Sequence, residues 1–230
     1  MFSNFDFDVI RRSLGYLFFD GMTFTLTLTG LATLGGIVFG TLIAMLRLSG
    51  LWLIFRFARL YVDLMRSLPL VLVIFWFYFL VPYIGQWLTG SSRPVRVGAF
   101  ASSLLTFTLF EAAYFAEIMR AGIQSISKGQ PAAASALGLT YGQTMRYVVL
   151  PQAFRNMLPV LLTQTIVLFQ DTSLVYVLSI PDFLGAASKV AQRDGRLVEM
   201  YLFAAIVYFA VSSIASFGVR RLQARIAIVR

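Results

Sequence analysis

MTFTLTLTGLATLGGIVFGTLIAML, residues 22–46, carries no charged side chain. Wound as an α-helix it is about 37 Å long, enough to cross roughly 30 Å of hydrocarbon. Its opening alternates threonine with apolar residues at Thr23, Thr25, Thr27 and Thr29, as a half-buried strand would. The apolar run then continues unbroken to Leu46, so length decides for helix. Threonine hydroxyls in a lipid-embedded helix bond back to the preceding turn. Four further stretches meet the same criterion: residues 68–88, 97–116, 157–180 and 200–219. The expected fold class is therefore an all-α membrane protein. It has about five transmembrane helices and forms a single transmembrane domain over residues 1–230.

Composition agrees. Of 230 residues, 59% are hydrophobic and 13% charged, and mean hydropathy is +0.80. Soluble domains are about half apolar and about a quarter charged. Histidine and cysteine are both absent. Thiolate chemistry, disulfides and histidine general-base catalysis are thereby excluded, and no metal or other cofactor is expected. No nucleophile–base pair or metal cluster is visible, so the chain reads as a non-enzyme. The net charge of +9 fits basic loops held in the cytoplasm better than a nucleic-acid surface. With the N-terminus outside, twelve of the nineteen basic residues collect on one side, Arg47, Arg66, Arg120, Lys128 and Arg146 among them. That side is expected to be cytoplasmic, with the C-terminus on it. Arg11 and Arg12 count the other way.

Asp6 and Asp8 precede that arginine pair, which argues against a cleaved signal peptide. Residues 1–20 read as a surface-lying segment, with Phe2, Phe5, Phe7, Ile10 and Leu14 dipping into the interface, or as a frayed end. Residues 50–66 are amphipathic and basic, and read as an interfacial helix or as a continuation into the second span. Gly36 and Gly40 are spaced for close helix packing.

The polar interruption SKGQPAAASALGLTYGQTMRYVVLPQAFR, residues 127–155, separates the third and fourth spans. Pro131 suits a first helical turn. The alanines that follow favour helix, and Gly138 suits a left-handed stop. Thr140 with Gln143 is spaced as a capping box for a second helix, which Leu150-Pro151 stops or kinks. The small side chains can seat in a groove of another protein while Arg146 and Arg155 meet a negative surface. A plain hairpin joining two spans is the alternative.

This loop resembles the coupling loop of ATP-binding-cassette importer permeases, whose pattern is Glu-Ala-Ala, three residues, Gly, nine residues, Ile, one residue, Leu-Pro. Ala133, Ala134, Gly138, Leu150 and Pro151 match it, Val148 holds the isoleucine position, and Ala132 replaces the glutamate. YFAEIMRAGIQSI (114–126) and RSLPLVLVIFWFY (66–78) are similar to segments of the polar amino-acid branch. FEAAYFAE (110–117) with LFQDTSLVYVLSIPDF (168–183) is most similar to its glutamate/aspartate members. The resemblance implies the type I importer permease fold and an acidic amino acid as solute, with glutamine or another polar amino acid as the alternative. It also implies an ATPase dimer docked on the loop, a second permease subunit, identical or homologous, an extracytoplasmic binding protein, and residence in a bacterial inner membrane. No Gly-x-x-x-x-Gly-Lys phosphate loop is present, so ATP hydrolysis falls to a partner. An ion-coupled secondary transporter normally needs two repeat halves and more spans.

Asp171 lies within the fourth apolar stretch, where an ionised carboxylate costs a few kcal/mol unless it meets a cavity or partner (~2.5–3.5 kcal/mol). Gln164 and Gln170 precede it and Thr172 and Ser173 follow. The pattern predicts a broken helix, one half over about 157–169 and a second starting near Asp171. Free N–H groups there would hold a substrate carboxylate while Asp171 takes the ammonium. Alternatively Asp171 only caps its half-helix or pairs with an arginine of a neighbouring chain. Glu111 and Glu117 are second-tier substrate candidates; Glu117 is also spaced to pair with Arg120. No Arg or Lys falls deep in the apolar stretches to hold a second carboxylate.

Overall fold

The structure, a computed structural model, describes residues 5–226; Phe2 lies outside them. The regular structure among the described residues is all helical, without strands. The first helix, α1 (Phe7–Gly15), starts at Asp6, whose carboxylate accepts from the backbone N–H groups of Asp8 and Val9. It runs through a π turn (Tyr16–Met22) into α2 (Thr23–Leu48) without a break. From Phe7 onward this segment is therefore neither frayed nor a separate surface element, but continuous with the first span. Val9 and Leu17 are fully buried and belong to the packed bundle.

The second expected span is α4 (Leu70–Thr89), and the third is α5 (Ala99–Gln124). After the loop come α6 (Gly129–Ala136) and α7 (Tyr141–Thr144). A π turn (Met145–Val149) leads from α7 into α8 (Leu150–Asp171). A 3-10 helix (Thr172–Leu178), α9 (Phe183–Asp194) and α10 (Leu197–Ile226) complete the chain. Five continuous helices are long and apolar enough to cross a membrane: 7–48, 70–89, 99–124, 141–178 and 197–226. Of the stop or kink expected at Leu150-Pro151, the stop does not occur. Proline removes a backbone donor and crowds the preceding carbonyls, and the wider π turn immediately before it takes up that mismatch, so the helix passes through.

The bundle closes around α2 and α5. A Cβ on Gly36 would lie 2.9 Å from the Phe115 ring and 3.1 Å from Glu111 Cβ. One on Gly40 would lie 2.8 Å from Phe115 Cβ and 3.0 Å from both Ala112 O and Ala116 N. The glycine pair thus brings two backbones together inside one chain. The remaining helix, α3 (Trp52–Ser67), is at 16 residues too short to span alone. It is not a continuation into the second span, because Leu68 is extended (φ −97°, ψ 139°). Nor does it merely lie on the interface: Ala58 and Val62 are buried, and Tyr61 Oη donates to Leu109 O of α5 at 2.5 Å.

Candidate functional site

A polar seam runs between α5 and α8. Gln164 and Asp171 are seven residues apart on α8, two turns, so they share a face. Opposite them Glu111 is fully buried, and Gln164 Nε2 donates to both of its carboxylate oxygens, at 3.3 and 3.2 Å. Gly36 provides the space for Glu111 from behind, since any side chain there would meet Glu111 Cβ. Asp171 is half-buried and has neither hydrogen bond nor ion pair among the described residues. It lies close enough to act electrostatically on Glu111 and on Tyr114, one turn along α5.

The seam also holds a cation. The Arg66 guanidinium sits 5.4 Å from the centroid of the Tyr114 ring, within cation–π range. Tyr114 is ten residues, about 15 Å, from the end of α5. Arg66 lies outside the spans, as the sequence placed it, yet α3 brings it to Tyr114 of the third span. In sequence Arg66 stands outside the apolar stretches and counts among the cytoplasmic basic residues. Pro69 holds Leu68 in extended geometry, which ends α3 beside Tyr114. The signal was present in RSLPL: a basic residue just before a proline that interrupts two helical runs.

The other proposed contacts have different placements. Gln170 Nε2 donates to Ser212 Oγ of α10 at 3.0 Å. Thr172 is buried and its hydroxyl donates to Phe169 O at 2.7 Å; Ser173 is half-buried one residue on. Glu117 pairs with Arg47 of α2 at 2.6 Å and with Arg120. It borders a cavity of about 310 Å³ lined also by Ile118, Gly122, Asn156, Met157 and Val160, farther along the α5–α8 groove.

The expected helix break at Asp171 is also corrected. Its backbone is helical (φ −67°, ψ −25°), its side chain caps nothing, and the chain tightens directly into the 3-10 helix. No free N–H groups open at that point. The N-terminus that does open belongs to α9, where Asp182 accepts from Leu184 N at 3.0 Å and Gly185 N at 2.9 Å. The Pro181-Asp182 pair followed by Gly185 was the sequence signal for that cap. Burial pushes the Asp182 carboxyl up to about 7.

The loop forms a projecting helical elbow. Pro131 lies in the first turn of α6, and Gly138 ends it at φ +81°. Leu137 N bonds Ala133 O, and Leu139 N bonds Ala134 O. Thr140 and Gln143 form the reciprocal capping box that starts α7. Ala134 is buried, on the helix that packs against α7 and the π turn, whereas Ala132, Ala133, Gly138, Arg146 and Leu150 are exposed and Pro151 follows Leu150 in α8. Leu137 and Tyr141 are each 81% exposed, which makes the elbow's tip an apolar knob.

Comparison with known proteins bears on this arrangement. The model of the family described as binding-protein-dependent transport system inner membrane component matches residues 36–228. The glutamate/aspartate import permease protein GltK of Escherichia coli O6:H1 is 52% identical, over 97% of this chain and 99% of its own. The glutamine transport system permease protein GlnP of Escherichia coli K12 is 32% identical, over 98% and 99%. A solved structure described as an amino acid ABC transporter with histidines superposes with a TM-score of 0.85 at 32% identity, covering 96% of this chain and 98% of that one. The MetNI methionine transporter, at 18% identity and a TM-score of 0.74, shares the fold.

Proposed function

The chain belongs to the binding-protein-dependent transport system inner membrane components, and on that premise we propose that it forms the translocation path for an acidic amino acid. It is the multi-pass permease subunit of an amino-acid importer. Glutamate or aspartate as solute is supported by the similarity to GltK over nearly the whole length of both chains. The single observation that carries the path is Asp171, an unpartnered carboxylate in a polar seam between membrane-crossing helices. An intramembrane ionisable group without a structural partner is a functional one by default. Asp171 takes the solute's ammonium, and Glu111, held by Gln164, lines the path beside it.

The elbow at residues 129–141 receives the stroke of a separate ATPase dimer. Its exposed alanines and the Leu137–Tyr141 knob seat in the motor, with Arg146 at the rim. A second permease subunit closes the other side of the seam, and an extracytoplasmic binding protein delivers the solute. The elbow and C-terminus face the cytoplasm and the N-terminus the outside, as the basic residues distribute.

The test is uptake into liposomes by the complete complex with its binding protein. Asp171→Asn keeps the side chain's shape and removes the charge. Glutamate uptake is expected to fall at least ~30-fold, the low end for losing a buried charge partner, with normal complex assembly. Undiminished uptake by that variant sinks the assignment. Glutamine run in parallel decides between acidic and neutral polar solutes.

A further inference from the structure

With no free N–H groups at Asp171, the seam needs another seat for the anionic end of a zwitterion. We infer that Arg66, held against the face of Tyr114, is that seat: it receives a carboxylate of the transported amino acid. The inference rests on the solute path proposed above and adds the residue that reads negative charge.

Depth is the first argument. Tyr114 lies about 15 Å along the 26-residue α5 from its Gln124 end, nearly one turn deeper in the helix than Glu117, which pairs with Arg47. Arg66 forms no ion pair among the described residues, and its side chain is exposed on the surface of this chain. A bare guanidinium at that depth is not stable against lipid, so it faces an aqueous path.

Placement is the second argument. Arg66, from α3, lies over the Tyr114 ring, and Asp171, from α8, is near enough to the Tyr114 hydroxyl to act on it electrostatically. An amino acid carries its ammonium and carboxylates a few bonds apart, and the seam presents one charge of each sign around a single aromatic side chain. No ion pair joins Arg66 to Glu111 among the described residues; the Glu111 carboxylate accepts from Gln164. The cation–π contact holds the guanidinium plane and leaves its edge donors free for a bidentate bond to a carboxylate. Arg66 also lies in the last turn of α3, where the helix dipole favours a cation.

The experiment uses the intact ATPase–permease complex without binding protein. It measures radiolabelled glutamate binding by scintillation proximity, with glutarate, which has two carboxylates and no amine, as competitor. Glutarate is expected to displace glutamate from the wild type. In Asp171→Asn it should still compete, because only the ammonium seat is lost. In Arg66→Gln glutarate competition should weaken at least ~30-fold, and Arg66→Lys should show a smaller loss, since lysine keeps the charge without the fork. Glutarate that competes equally well against Arg66→Gln overturns the inference. So does loss of complex assembly in both Arg66→Gln and Arg66→Lys, which makes the residue structural. A wild-type complex that neither imports nor binds any amino acid overturns the solute path itself, a different result from a working wild type with an indifferent Arg66.

Discussion

Gly40→Ala adds one methyl where α2 and α5 touch. Its carbon would stand 2.8 Å from Phe115 Cβ and 3.0 Å from the Ala112 carbonyl oxygen and the Ala116 nitrogen. Ordinary contact between carbons is about 3.5–4.0 Å, so the helices must part by roughly 0.7–1 Å at this point. Two of the three obstructing atoms are backbone, and a rotamer change relieves neither. Overpacking of this kind costs about 1–3 kcal/mol. Alanine also gains up to about 1 kcal/mol of helix propensity over glycine, which masks part of the loss. Gly30, in the same helix, has no atom within 4 Å of its notional Cβ, so Gly30→Ala gains propensity without a clash. The difference between the two variants isolates the packing cost. At about 2–4 °C per kcal/mol for a chain of this size, Gly40→Ala should melt roughly 2–12 °C below Gly30→Ala. The assay is thermal unfolding of the purified complex in one detergent at one protein concentration. Separation also reaches the site, because Glu111 precedes Ala112 and its bonds to Gln164 are already 3.2–3.3 Å long. Equal melting temperatures for the two alanine variants would refute the close-packed α2–α5 contact.

Three further outcomes follow from the geometry. Glu117→Ala strands Arg47, whose side chain is only 8% exposed, and should destabilise the complex by about 2–3 kcal/mol, below the ~3–5 of a fully buried pair because Glu117 is itself 23% exposed; adding Arg47→Met should recover much of the loss, and a double variant no better than the single would exclude the pair. The raised Asp182 carboxyl binds its proton more tightly folded than unfolded. Its stabilising contribution is therefore full below the ordinary aspartate range, declines as pH rises through it to about 7, and changes no further above; melting curves from pH 4 to 9 should show that slope, and Asp182→Asn should flatten it. At the elbow, Ala133→Arg is exposed and leaves the permease fold intact, but it should abolish co-purification of the ATPase, while unchanged co-purification would remove the elbow from the docking surface.

The elbow was legible in advance because its signals are local. The positive φ at Gly138 and the reciprocal bonds of Thr140 and Gln143 are decided within a few residues. The close pairing at Gly36 and Gly40 was legible as spacing, although the partner helix was not. Asp171 stood out because an isolated acid in an apolar run is conspicuous wherever the run folds. Local reasoning failed at its backbone: Asp, Thr and Ser are good caps, yet the helix continued, since Thr172 bonds to the preceding turn and Leu168 and Val175 are buried on either side.

Residue order alone determined that this chain crosses a bilayer about five times and carries a projecting helical elbow, because span length, apolar content and cap spacing are properties of short stretches. Folding in three dimensions decided which charges meet. It turned Gln170 toward Ser212 and Glu117 toward Arg47, and it carried Arg66, remote in sequence from Tyr114 and Asp171, into their company. The physical reason is that a single extended residue before Pro69 redirects one helix relative to the next, and the position of a side chain many turns away in sequence from its neighbours depends on such angles rather than on its own local pattern.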